Sequence, residues 1–73
     1  SLFGANLTNT NLNRADLFNA HLKYADLTNA DLSYANLTDA NFYVATVTNA
    51  VFTSTTWSNT IWTDGVAYNT NQA

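Results

Sequence analysis

The chain has 73 residues, a formal net charge of −3 and no cysteine. Only 10% of its residues are charged, and all five acids are aspartates. Such a chain lacks the basic face that phosphate binding needs, which speaks against a nucleic-acid partner. It also lacks the thiols that staple many small domains.

The repeat is already under way at Ser1-Leu2-Phe3. A large apolar residue then recurs every five positions: Leu2, Leu7, Leu12, Leu17, Leu22, Leu27, Leu32, Leu37, Phe42, Val47, Phe52, Trp57 and Trp62. Two residues before most of these stands a small one, as at Ala15, Ala25, Ala35 and Ala45. Between the two lies a polar residue in the first half, as at Asn6, Asp16, His21 and Asp26. A period of five matches neither a helix of 3.6 residues per turn nor a strand of period two. For every leucine to reach one axis, the chain must turn a corner once per repeat. Asn and Asp suit those corners, because they tolerate turn geometry and bond their own backbone.

From Phe42 onward the core residue changes from Leu to Phe, Val and Trp, and the small position drifts toward Thr. Solenoids degrade in this way toward a cap. Trp57 and Trp62 are expected to plug the last coil, each needing a partner for its indole N–H if buried. Asp64-Gly65 signals a turn that ends the repeat. The expected organisation is therefore a repeat domain over 1–64 and a C-terminal cap or tail over 65–73.

The copies Ala15-Asp16-Leu17, Ala25-Asp26-Leu27, Ala30-Asp31-Leu32 and Ala35-Asn36-Leu37 carry the pattern Ala-(Asp/Asn)-Leu-x-x. This pattern resembles the pentapeptide-repeat family over about residues 2 to 64. The resemblance implies an all-β fold, a right-handed parallel β-helix solenoid with four repeats per coil. About three four-sided coils would then stack at the inter-strand spacing of about 4.8 Å, giving a rod about 15 Å long.

In that geometry residues twenty apart stack. Thr8, Thr28 and Thr48 would form one outward ladder and Asn9, Asn29 and Asn49 another, bonding rung to rung as polar ladders do in stacked solenoids. A flat threonine array also suggests ice binding. Asp26 would stack on Asn6 and Thr46, Asp31 on Asn11 and Val51, and Asp16 on Asn36. No aspartate meets another, so neither a metal site nor like-charge strain is expected. One exterior face is apolar. It carries Phe3, Lys23 and Tyr43, with Tyr24 and Val44 beside them, and such patches mark interaction sites. Lys23 is expected between the rings of Phe3 and Tyr43, and Arg14 over Tyr34, as cation–π pairs.

No catalytic residues, metal ligands or cofactors are expected. His21 is the only histidine and has no acid cluster near it, the serines have no His–Asp arrangement at fixed spacing, and the glycines, Gly4 and Gly65, make no phosphate loop. No apolar run is long enough to insert into a membrane. The Asn, Thr and Ser surface leans toward an extracytoplasmic compartment.

The ends complete the reading. Nothing covers Leu2, Leu7, Leu12 and Leu17, and an uncapped β-helix exposes core and unpaired edges. The chain is then a piece of a longer solenoid, is capped by a partner, or stacks on its own copies, with Trp57 and Trp62 at the opposite contact. Head-to-tail stacking that does not close builds a filament. The expected function is a structural, self-associating module whose partner is itself or another protein. The alternative implied by the resemblance is a DNA mimic that binds DNA gyrase, for which this chain has few coils and few carboxylates.

Overall fold

Each repeat ends in a reverse turn. In the computed structural model, which describes residues 1–73, the amide of each small residue from Ala5 to Thr55 donates to the carbonyl of the large residue three before it. Ala5 bonds Leu2 at 3.0 Å, Ala25 bonds Leu22 at 3.1 Å and Ala45 bonds Phe42 at 2.9 Å. The residue just before the small one has positive φ, from 50° at Asn59 to 65° at Gly4. A type II turn needs positive φ at its third residue, where Gly and Asn fit without strain. Arg14, Tyr24, Tyr34 and Val44 hold the same conformation against their side-chain preference.

The polar residue before each leucine braces this turn. Its side-chain oxygen accepts from the amide two residues on: Asn6 from Thr8 at 3.1 Å, Asp16 from Phe18 at 3.1 Å, Asp31 from Ser33 at 2.9 Å. These bonds are local, which explains why the position takes Asn and Asp so readily. At Asp26 and Asp31 they also lower the carboxyl pKa. The hydroxyls of Thr28 and Ser33 contribute most, followed by the amides of the same residues.

Between turns, one residue per repeat pairs with the next coil. Parallel bridges join Asn6 to Asp26, Asn11 to Asp31, Asp16 to Asn36 and His21 to Asn41, then Asp26 to Thr46, Asp31 to Val51, Asn36 to Thr56 and Asn41 to Ile61. Every step is twenty residues, so four repeats make one circuit. The expected aspartate neighbours are all present. Each bridge is a single residue, because the turns engage the residues on either side. The only strands longer than one residue are β1 (Thr60–Ile61) and β2 (Ala67–Tyr68). The Cα extents of 25 × 22 × 19 Å describe a stub nearly as wide as it is long rather than a rod.

The core follows the five-residue phase. Leu22, Leu27, Leu32, Leu37 and Phe42 are fully buried, as are Ala25, Ala30, Ala35 and Ala40. The second set takes small residues, Ala or, as at Thr60, Thr, because the turn brings the backbone close to the core wall. Toward the C-terminal end the rings of Phe42, Phe52, Trp57 and Trp62 pack together, with centroids 5.1 to 6.4 Å apart. Trp57 is 6% exposed, and its indole N–H donates to Thr55 Oγ1 at 2.7 Å. Thr60 is the one buried polar residue, and its hydroxyl donates to the Leu37 carbonyl at 2.7 Å.

The tail folds back. β2 pairs antiparallel with β1, placing Thr60 opposite Tyr68 and Ile61 opposite Ala67. Asn69 accepts from the Asn59 amide at 2.8 Å, and Asn71 donates to the Phe52 carbonyl at 2.8 Å. The turn is held by Asp64, which accepts from the Tyr68 hydroxyl at 2.7 Å and the Val66 amide at 3.0 Å.

The Tyr68 hydroxyl, more than the Val66 amide, holds the Asp64 carboxyl below its ordinary 3.8, and the same bond raises the Tyr68 phenol above its ordinary 10.0. A lowered acid pKa contributes stability above the unfolded value, lost as pH falls through the folded one. A raised phenol pKa contributes stability below the unfolded value, lost as pH rises through the folded one. The hairpin is therefore expected to hold between these limits and to loosen beyond either. An NMR titration of the Val66 amide and the Tyr68 ring checks this. A Tyr68 that ionises at or below 10.0 would contradict it.

Candidate interaction surfaces

The coil ends differ in their hydrogen bonding, and one side face is aromatic. The hydrogen-bond pattern defines the edge of the first coil. In the second circuit, the Asp26 amide donates to the Ala5 carbonyl at 2.9 Å, and the Asp26 carbonyl accepts from the Leu7 amide at 2.8 Å. Both of its backbone groups thus point toward the first coil, as do those of Asp31 and Asn36. Asn6, Asn11 and Asp16 hold the same place one circuit earlier. Their amides and carbonyls make no backbone hydrogen bond, so three consecutive sides each present a free donor and acceptor. The leucines beneath are incompletely covered. Leu2, Leu7 and Leu12 are half-buried and Leu17 is 8% exposed, against 0% for Leu22, Leu27, Leu32 and Leu37.

The opposite end differs. Its outward-facing groups at Ala45–Val47, Ala50–Phe52 and Thr55–Trp57 also lack backbone partners, but its fourth side is occupied. There the Trp62 amide donates to the Val66 carbonyl at 3.0 Å and β2 covers β1. Trp57 is drawn into the core, while Trp62 remains half-buried in the ring cluster.

On the side face, Phe3 and Tyr24 are 57% and 54% exposed, with ring centroids 5.4 Å apart. Tyr43 and Val44 are also exposed. Lys23 Nζ lies 5.8 Å from the Tyr43 ring centroid. Phe3 does not complete the expected sandwich. It turns to His21, edge-on at 5.5 Å, which adds His21 to this face. Nothing in the sequence period marks that contact, because it depends on a ring rotamer. Gly65 abuts the face as well, since a Cβ there would lie 3.1 Å from the Tyr43 ring. Arg14 sits over Tyr34 at 4.8 Å, as expected.

The threonine and asparagine ladders do not bond rung to rung. The hydroxyls of Thr8 and Thr28 donate instead to Asn6 and Asp26 within their own repeat, at 2.8 and 2.6 Å. The acceptor two residues away is always within reach, whereas a rung neighbour lies a full coil spacing off. No group of three or more His, Asp or Glu side chains gathers in a metal-binding cluster. No helix is long and apolar enough to cross a membrane.

Single-residue parallel bridges at twenty-residue spacing, with a turn at each five-residue step, define a pentapeptide-type β-helix. The pentapeptide-repeat family model matches with eight copies, over residues 1–33 and 10–46, so the chain belongs to that family. Members of this class are protein-interaction modules. Among solved structures, the chain is similar to HetL, a pentapeptide repeat protein involved in heterocyst differentiation regulation from the cyanobacterium Nostoc sp. strain PCC 7120. The identity is 35% and the TM-score 0.56, and the match covers 92% of this chain. It spans 32% of HetL. A comparison with curated proteins finds no match.

Proposed function

We propose that this chain is a non-enzymatic interaction module that coils right-handedly about three times and associates with its own copies or with another protein. The observation that carries this reading is the aromatic side face, where Phe3 and Tyr24 are 57% and 54% exposed with ring centroids 5.4 Å apart and Tyr43 and Val44 stand exposed beside them. Contiguous exposed apolar patches mark protein contacts.

Sedimentation velocity of the 73-residue chain over a range of concentrations tests the reading. The sedimentation coefficient is expected to rise with concentration. A single monomeric species at every concentration would overturn self-association.

A further inference from the structure

We infer that the cleft between Tyr43 and the turn over 62–65 takes a neutral sugar ring. The cleft holds about 350 Å³ and is lined by Lys23, Asn41, Tyr43, Ile61, Asp64 and Gly65. That is the small end of the range for ligand sites, about 300–1,000 Å³, which combine apolar walls with a few convergent polar groups. Successive circuits of the coil and the fold-back turn supply the walls.

The polar groups are fixed and only partly used. The Asn41 side-chain oxygen accepts from the Tyr43 amide at 3.0 Å, which holds the group in place and leaves its N–H donors unused. The Asp64 carboxylate accepts from the Val66 amide at 3.0 Å and from the Tyr68 hydroxyl at 2.7 Å. Those two bonds occupy about half of the lone pairs a carboxylate offers. Two neighbours steady the Tyr43 ring. Lys23 Nζ lies 5.8 Å from its centroid, and Gly65 approaches so closely that a Cβ would meet the ring carbon Cε1 at 3.1 Å. Gly65 also holds φ at 83°, which suits glycine alone. The ring nevertheless stays 41% exposed, so it remains an apolar wall open to a ligand.

Charge and shape select the ligand class. One ammonium and one carboxylate cancel, so the cleft draws neither anions nor cations by net charge. An anion would face Asp64 and a cation would face Lys23, and like-charge contacts are costly. Hydroxyls meet no such penalty. Each can accept from Asn41 or Lys23 and donate to Asp64, because a hydroxyl is donor and acceptor at once. The face of an aromatic ring is electron-rich and favours polarised C–H groups. A sugar ring offers both features, a rim of hydroxyls and a patch of C–H. The small, open cleft makes few contacts, so binding is weak, with Kd in the millimolar range.

NMR amide shifts of the 73-residue chain, titrated with D-glucose, D-galactose and D-mannose, test this. At least one sugar is expected to give saturable shifts at Asn41, Tyr43, Asp64 and Gly65, with Thr8 and Arg14 unmoved on other sides of the coil. Asn41→Asp keeps the bracing oxygen, as Asp16, Asp26 and Asp31 do in their repeats, but removes the N–H donors. Tyr43→Thr removes the ring and matches Thr28, Thr38 and Thr48 at the same place in their repeats. Each variant is expected to raise Kd about tenfold or more. Either one decides the matter should the other fold poorly. No saturable shift from any of the three sugars would overturn the assignment. So would sugar shifts that survive in the folded variants unchanged, which would put the sugar elsewhere. Saturation by acetate or methylammonium without saturation by sugar would overturn it too, in favour of a charged ligand. None of these outcomes bears on protein association, which sedimentation reads separately.

Discussion

Phe42→Ala is expected to lower the unfolding free energy by about 3–5 kcal/mol. Phe42 is fully buried and stands where the leucine core gives way to aromatic rings. Its ring packs against Phe52 at 5.9 Å and Trp62 at 5.6 Å, so truncation leaves a cavity beneath both. The neighbours cannot collapse far, because their backbones are fixed by turns and bridges in the adjacent coils. The total stability of a chain this size is roughly 4–11 kcal/mol at the usual stability per residue. One substitution therefore consumes a large part of it. Phe42→Leu restores the residue type found at Leu22 in the same column and is expected to cost less than about 1.5 kcal/mol. Urea unfolding followed by tryptophan fluorescence measures both. If Phe42→Ala costs no more than Phe42→Leu, the ring is not the keystone of this junction.

The location of that junction was readable before any coordinates. The five-residue phase alone names Leu22 through Phe42 as inward-facing, because no other assignment brings every large residue to one side. The number of repeats per circuit is another matter. A period of five fits any polygon, and four sides entered only through the resemblance to pentapeptide repeats. The bridges from Asn6 to Asp26 and from Asp26 to Thr46 each step by twenty residues, the spacing that four repeats per coil require.

The candidate surfaces were partly legible. The aromatic face follows from the period, which sets Phe3, Lys23 and Tyr43 twenty residues apart. The backward-facing groups at Asn6, Asn11 and Asp16 follow from the same regularity, since each coil offers its amides backward. The fold-back of Ala67–Tyr68 is different. It depends on one hydroxyl reaching one carboxylate, Tyr68 to Asp64, across a turn that carries no period. The pairing of Phe3 with His21 is likewise a rotamer choice. Residue types placed them near each other in two adjoining columns, but only packing decides which ring turns to which.

Val44→Gly is expected to raise stability by about 1 kcal/mol. Val44 holds φ at 60°. The left-handed region costs an L-residue roughly 1–2 kcal/mol, and a β-branched side chain is the least suited to it. Gly enters that region freely but loses more chain entropy on folding, which returns about 0.5–1 kcal/mol of the gain. The side chain is exposed, so little packing is lost. Val44→Asn, matching Asn9, Asn29 and Asn49 at the same place in their turns, is expected to stabilise to a similar degree. Urea midpoints of the two variants check this, and a loss of stability in both would show that Val44 contributes packing greater than its strain. A strained apolar residue on an exposed face, in a repeat whose other corners readily take Asn or Gly, points to a contact made by the side chain. Val44 lies beside Tyr43 and one circuit beyond Tyr24, within the aromatic side face. The fold would be better served by another residue here, which supports the proposal that this face meets a partner. The same two variants should therefore weaken lateral association even as they stabilise the monomer.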